Sequence, residues 1–156
     1  YLIYFLKEEW MKSFMNSALI VAAFAATSVL SAADLKGLNV LMTSADAQTQ
    51  MMGMVLGSSV LNDQKKALNI TLCGPAGNLA LKDFTAMDVK KHAGTAANPK
   101  SALQGLIKAG AVVNVCPLFL PNAGKDASAL VEGITVAKPP VVAKGLTDGD
   151  FNNISF

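Results

Sequence analysis

The sequence predicts an α/β fold of three layers, in which helices cover both faces of an open parallel sheet. Two observations support this prediction. Short runs of strand-forming residues alternate with helical segments, and those runs are apolar without a clean alternation of polar residues. Strands that are apolar on both sides are typical of a parallel sheet buried between two layers of helices.

Length and composition fit a single domain with a hydrophobic core. The chain has 156 residues, of which 52% are hydrophobic and 15% charged, and its formal net charge is +2. All 13 basic residues are Lys and they are scattered along the chain, which argues against a nucleic-acid surface. Two Cys and one His are too few for the usual zinc-ligand sets. We therefore expect no nucleic acid, no metal and no cofactor.

The first 33 residues have the features of an upstream segment followed by a cleaved signal peptide. A start at Met11 places a lysine before an uncharged apolar run over residues 18–30, and small residues follow at 31–33. A membrane-spanning helix needs about 20 apolar residues, which this run does not supply. We expect cleavage after residue 33, export to the periplasm or the medium, and a single mature domain over residues 34–156. An uncleaved membrane anchor is the alternative.

The first half of the mature domain predicts a strand, a helix and a second strand. Residues 38–43 (LNVLMT) and 68–73 (LNITLC) are short runs rich in strand formers, and residues 48–61 predict the helix between them. Apolar side chains surround most of that helix, which predicts burial on more than one side and association with other copies of the chain. Gly53 and Gly57 share one helix face and permit close approach to the sheet.

The middle of the domain gives a weaker pattern. Residues 74–77 (GPAG) predict a sharp turn after the second strand. Residues 78–91 then predict a short helix, and residues 90–98 a mobile polar loop. His92 lies in that loop, where we expect it to be solvated and without a catalytic partner.

The clearest helix of the chain begins after Asn98. This residue is a suitable N-cap, Pro99 is favoured at the first helical position, and Gly110 ends the pattern. Residues 111–116 (AVVNVC) predict the next strand. The remaining predicted elements are a short helix over 128–132, an extended segment over 134–137, a break at Pro139 and Pro140, and a final strand over 153–156.

The carboxyl ends of the predicted strands locate the candidate site, because ligands of open parallel sheets bind there. Two of these ends carry a cysteine, Cys73 and Cys116, and an exported protein can form disulfides. In the common flavodoxin-like order 2-1-3, however, the first strand separates the two cysteines by roughly 9 to 10 Å. A disulfide needs Cα atoms within about 7 Å, so we expect no bridge.

Cys116 is the candidate nucleophile. A cysteine at a strand end followed by Pro lies in a turn, where exposed N–H groups and nearby cations favour the thiolate. Lys125 is a candidate cation, and an inert strand-terminal thiol is the alternative. Ser44 and Asp46 either line the same crevice or cap the following helix. The weaker candidates for the crevice are Thr43, Ser44, Gly74 and Pro117.

The segment over residues 106–124 (LIKAGAVVNVCPLFLPNAG), with ALVEG at 129–133, resembles the DsrE/DsrF-like family, in particular its exported members. The resemblance covers essentially all of the mature domain. It implies a small α/β fold, assembly into trimers or hexamers, and a cysteine that carries sulfane sulfur as a persulfide. Cys116 matches that cysteine. Relatives often have a second cysteine three positions later, where this chain has Phe119, and Cys73 matches no family position.

The sequence thus leaves two hypotheses. The first is an exported sulfur-handling protein, a carrier or transferase in which Cys116 accepts a persulfide or presents it to a protein partner. The second is a non-catalytic module for small-ligand binding or assembly, which Phe119 in place of the second cysteine favours. Hydrolase and dehydrogenase activities are not expected, because the chain has neither a G-x-S-x-G nor a complete G-x-G-x-x-G motif.

Overall fold

The computed structural model describes residues 34–90 and 95–156, and it confirms the α/β prediction. Five parallel strands form one sheet, with helices on both faces. The predictions for residues 1–33 and for His92 lie outside the described residues. Along the described part of the chain the elements are β1 (Gly37–Met42), α1 (Ala47–Ser58), β2 (Ala67–Leu72), β3 (Val89–Lys90), β4 (Ala96–Ala97), α2 (Pro99–Lys108), β5 (Val112–Val115), α3 (Phe119–Asn122), β6 (Ile134–Val136), α4 (Pro139–Leu146) and β7 (Phe151–Ser155).

The strand order corrects the 2-1-3 order expected from the sequence. The sheet runs β6-β5-β2-β1-β7, and a separate antiparallel pair is formed by β3 and β4. The strand that precedes Cys116 therefore pairs directly with the strand that precedes Cys73, with Leu72 opposite Val115 in the register. The two cysteines lie at the ends of neighbouring strands, and the argument against their approach no longer holds.

The two faces of the sheet differ in character. One face is apolar and packs against α1 and α2, with fully buried side chains such as Met42, Leu72 and Val115. The other face carries Asn39, Asn69 and further polar residues and is partly covered by α4. The expectation of strands apolar on both faces is therefore met on one side only.

Helix α1 confirms the predicted helix and its glycine face. The Asp46 carboxylate caps it by accepting a hydrogen bond from the Thr49 amide at 2.7 Å. A Cβ on Gly57 would lie 2.8 Å from Leu68, and one on Gly53 would overlap Met42, so both glycines allow the helix to approach the sheet. A π-helical turn over Ser59–Asp63 continues α1.

Helix α2 begins as the sequence predicts. The Asn98 side chain accepts hydrogen bonds from the backbone amides of Lys100 and Ser101, and Pro99 occupies the first turn. The same preference explains Pro139 and Pro140, which open α4 instead of breaking the chain. Within the described residues, 34–90 and 95–156, no helix is long and apolar enough to cross a membrane.

The helix predicted over residues 78–91 is wrong. A 3₁₀ segment over Gly74–Ala80 occupies its beginning, and a bridge at Leu81, a turn and irregular chain follow. The Lys100 ammonium donates hydrogen bonds to the carbonyl oxygens of Leu81, Lys82 and Phe84 at 2.6, 3.0 and 2.6 Å. Because a lysine that is distant in sequence donates to these carbonyl oxygens, the segment needs no helical hydrogen bonds of its own.

The helix predicted over residues 128–132 is also shorter than expected. Only a 3₁₀ turn over Ala127–Ala129 forms, capped by the Asp126 carboxylate, which accepts from the Ser128 amide at 2.8 Å. Leu130 then bridges to Leu81 in an antiparallel contact. Tertiary pairing with Leu81 thus replaces the helical continuation.

Candidate functional site

Cys116 follows the last residue of β5 and is half-buried. Its amide donates a hydrogen bond to the Leu72 oxygen at 2.8 Å, which continues the sheet pairing by one residue. Its carbonyl oxygen accepts from the Phe119 amide at 3.0 Å, closing the turn through Pro117 that leads into α3. The sequence predicts exposed N–H groups in this turn, and the one of Phe119 is instead occupied by a backbone hydrogen bond.

A surface pocket of about 470 Å³ opens beside Cys116. It lies between the start of the 3₁₀ segment and helix α3. Asn122 contributes the one polar side chain besides Cys116 among the lining residues, and its amide donates to the Leu118 oxygen at 2.7 Å. The lining residues are Gly74, Pro75, Cys116, Leu118, Phe119, Asn122 and Ala123. A pocket with this lining favours a small or uncharged group next to the sulfur.

Cys73 follows the last residue of β2, next to Cys116, and is half-buried. Its backbone is still extended, with φ −126° and ψ 159°, and its amide donates to the Met42 oxygen at 2.8 Å. Burial raises the pKa of the Cys73 thiol to about 11, together with a hydrogen bond and the negative charge of Cys116. Cys73 is therefore a protonated thiol near neutral pH, with Cys116 as its partner.

Of the four weaker candidates, Gly74 lies in the pocket beside Cys116. It has a φ of +53°, a left-handed conformation that favours glycine and turns the chain away from β2. Pro117 is next to Cys116 in the chain and half-buried, but it is not among the pocket-lining residues.

The polar residues after β1 have structural partners of their own. The Thr43 hydroxyl donates to the Phe156 oxygen at 2.8 Å, and the Thr43 amide donates to the same oxygen. The Ser44 hydroxyl accepts from the Asp46 amide at 3.1 Å, and the Ser44 oxygen accepts from the Gln50 side chain. Ser44 and Asp46 thus organise the start of α1, which was the structural alternative for them.

Lys125 is not placed at the sulfur. Its ammonium forms an ion pair with the Asp83 carboxylate at 2.6 Å, and this cation lowers the pKa of Asp83. In the part of the chain that the structure describes, no group of three or more His, Cys, Asp or Glu side chains is placed to hold a metal ion.

A second cavity, of about 200 Å³, separates α4 from the polar face of the sheet. Its asparagines form a network that sequence reasoning missed. The Asn39 amide donates to the Gly145 oxygen and to the Asn153 side chain, both at 2.9 Å, and Asn69 donates to Asn39 at 2.9 Å. Four of the predicted strands contain an asparagine, and the network joins three of these residues, so the asparagines were the available signal. Because their partners include a carbonyl of α4, these amides hold that helix on the sheet.

The fold is similar to that of two solved structures. A protein of unknown function from Methanobacterium thermoautotrophicum, MTH1491, matches with a TM-score of 0.53 and 15% sequence identity, over 79% of this chain and all of its own. The YchN protein of E. coli matches with a TM-score of 0.58 and 15% identity, over 77% of this chain and 99% of its own. No family model and no curated protein sequence matches the chain significantly. This chain therefore has the fold of these two proteins, which is the DsrE/DsrF-like fold.

Proposed function

We propose that this chain is a sulfur-handling protein of the DsrE/DsrF-like family, in which Cys116 accepts a sulfane sulfur and presents it as a persulfide. The observation that carries the proposal is the place of Cys116. It ends a strand of a DsrE/DsrF-like sheet, in a V-C-P segment, and opens into a pocket of about 470 Å³. A half-buried thiol at the carboxyl edge of a parallel sheet is accessible to a donor and shielded on one side.

The chemistry is a thiol exchange. The Cys116 thiolate attacks the outer sulfur of a polysulfide, a sulfur–sulfur bond of the donor breaks, and the shortened polysulfide leaves with the electron pair. Cys116 keeps one additional sulfur. Leu118, which is 70% exposed at the rim of the pocket, provides an apolar contact for a protein partner that takes the sulfur from Cys116.

The test uses inorganic polysulfide and mass spectrometry. Cys73→Ser leaves Cys116 as the single thiol of the chain, so the mass of an added sulfur is assigned to Cys116 without ambiguity. We expect this variant to gain one sulfur and the matched variant Cys116→Ser to gain none. A folded Cys73→Ser protein without an adduct, or equal uptake by both variants, contradicts the proposal.

The second candidate function is a non-catalytic assembly module, and one surface favours association. Helix α1 exposes an apolar stripe formed by Met52, Val55 and Leu56, whose exposed fractions are 53%, 49% and 40%. These positions have the i, i+3, i+4 spacing of one helix face. Homo-oligomer interfaces are the usual cover for such a surface, and the resemblance predicts a trimer or hexamer.

The association is tested with one charged substitution. Val55→Lys places a charge in the middle of the stripe, whereas Gln64→Lys places it at an exposed polar position after the π-helical turn that continues this helix. Light scattering at micromolar concentration should show an oligomer that Val55→Lys weakens and Gln64→Lys does not. A monomer in the unsubstituted protein contradicts this part of the proposal.

Export of the domain belongs to the same proposal. The signal-like segment before residue 34 predicts that the mature N-terminus is Asp34 and that the protein is periplasmic or secreted. Sequencing of the exported protein should begin within a residue or two of Asp34. An intact N-terminus in the membrane fraction contradicts it.

A further inference from the structure

Cys73 and Cys116 occupy matching positions on two paired strands. Leu72 and Val115 are register partners of β2 and β5, and each cysteine is the next residue of its strand. The pairing continues into the cysteines, because the Cys116 amide donates to the Leu72 oxygen. Neighbouring strands lie about 4.7 to 4.9 Å apart, and disulfides join Cα atoms about 4.4 to 6.8 Å apart. The backbone therefore already has a separation that a disulfide requires.

The two thiols also lie on the same face of the sheet. Side chains alternate along a strand, so each cysteine shares the face of the residue two positions before it. Those residues are Thr71 and Asn114, which are themselves register partners. Both cysteines are half-buried free thiols, and the neighbouring Cys116 contributes to the raised pKa of Cys73. The two side chains thus share one face at the carboxyl edge of the sheet, beside the pocket.

We propose that Cys73 is the resolving thiol for a persulfide on Cys116, so that the two residues form a disulfide and release the carried sulfur as hydrosulfide. This inference rests on the proposed function, which supplies the persulfide. It also identifies the second thiol of the site. Phe119 stands three positions after Cys116, and the neighbouring strand provides Cys73 as the second thiol.

The reaction balances without another oxidant. The sulfur of Cys73 attacks the inner sulfur of the persulfide, and a bond forms between the two cysteine sulfurs. The bond from Cys116 to the outer sulfur breaks, and its electron pair leaves with that sulfur, which also takes the proton of Cys73. The outer sulfur is reduced to hydrosulfide while the two thiol sulfurs are oxidised to a disulfide. An external dithiol then restores the pair and becomes a disulfide itself.

The raised pKa of Cys73 means that this step needs a proton acceptor. Burial and the neighbouring Cys116 raise that pKa to about 11, so Cys73 is a thiol that must lose its proton as it attacks. The persulfide supplies the acceptor, because its outer sulfur gains an electron pair when its bond to Cys116 breaks.

The experiment follows a single loading with inorganic polysulfide. Excess polysulfide is removed from the protein under anaerobic conditions. The released hydrosulfide and the mass of the protein are then measured over time. We expect the unsubstituted protein to release hydrosulfide in a stoichiometric amount and to lose two hydrogens, with a Cys73–Cys116 disulfide in its peptide map. Cys73→Ser and Cys73→Ala should keep the added sulfur and release none.

The controls separate this inference from the proposed function. Thr71→Ser changes the preceding residue of the same face and strand and should release hydrosulfide at the unsubstituted rate. If the Cys73 variants take up sulfur but the unsubstituted protein retains it equally long, the resolving role is wrong and the carrier function stands. If the folded Cys73 variants take up no sulfur, the carrier function fails and the resolving role with it.

Discussion

The ring of Phe119 lies against Gly77 so closely that a Cβ on Gly77 would overlap it. Gly77 is buried in the 3₁₀ segment that follows β2, and Phe119 begins α3 and lines the pocket beside Cys116. Phe119 therefore has a packing role here. It joins the two segments that form the walls of the pocket.

Gly77→Ala should destabilise the protein by about 1–3 kcal/mol, because the added methyl group must displace the Phe119 ring from a packed position. The matched control is Gly105→Ala. A Cβ on Gly105 meets open space within helix α2, so this change should stabilise by up to about 1 kcal/mol. Urea unfolding of the two variants measures both values. An equal effect of the two substitutions contradicts the packing role of Phe119.

Helix α2 and the segment after β2 show what the sequence can and cannot predict. Helix α2 was predicted well because its signals are local: Asn98 as cap, Pro99 in the first turn and Gly110 after the end. The segment after β2 was predicted wrongly, because its structure depends on Lys100 and on a contact with Leu130, both distant in sequence. Local propensity cannot indicate such partners.

Lys100→Met should therefore loosen the segment that was expected to be a helix. The substitution keeps the aliphatic stem but removes the donor shared by the carbonyls of Leu81, Lys82 and Phe84. A hydrogen bond to a charged group contributes about 1.5–3 kcal/mol, and we expect a total loss near the lower end since part of this segment is exposed. Lys108→Met, at the end of α2, removes only a helix-dipole interaction of about 0.3–1 kcal/mol.

Hydrogen exchange locates the effect of Lys100→Met. Amides between residues 81 and 86 should exchange faster in this variant, whereas those of β1 and β2 should change only by the global loss of stability. Unchanged protection over residues 81–86 would show that the ammonium group does not hold the segment.

Asn39→Leu should release α4 from the sheet. The substitution has a similar volume but leaves the Gly145 oxygen and the side chains of Asn69 and Asn153 without their shared partner. Leaving a buried polar group unsatisfied costs about 1–3 kcal/mol, and we expect a loss near the lower end because Asn69 and Gly145 are half-buried and Asn153 is exposed. The control is Asn114→Leu, which removes one exposed hydrogen bond from Thr135 and should cost less than about 1 kcal/mol. Thermal unfolding compares the two, and an equal loss argues against the network.

The cysteine pair shows the limit of sequence reasoning at the candidate site. Both cysteines were found at strand ends, because apolar runs and the following Gly74 and Pro117 are visible in the sequence. Their proximity was missed, since it depends on which strands are neighbours. Strand order is set by the packing of the whole sheet, and the two strands are separated by some 40 residues that carry no pairing signal.

The pH dependence of alkylation tests the coupling of the two thiols. With a pKa of about 11, Cys73 should react roughly 100-fold more slowly at about pH 8.5 than an ordinary thiol, because the thiolate is the nucleophile. Its rate should keep rising with pH until about pH 11. In Cys116→Ser the hydrogen bond and the charge that the neighbouring sulfur contributes are lost, so the midpoint of Cys73 should move to lower pH, while burial, the largest cause, still holds it above the ordinary value. Peptide mapping of iodoacetamide labelling between about pH 7 and 11 gives both profiles, and identical midpoints in the two proteins would show that the thiols do not interact.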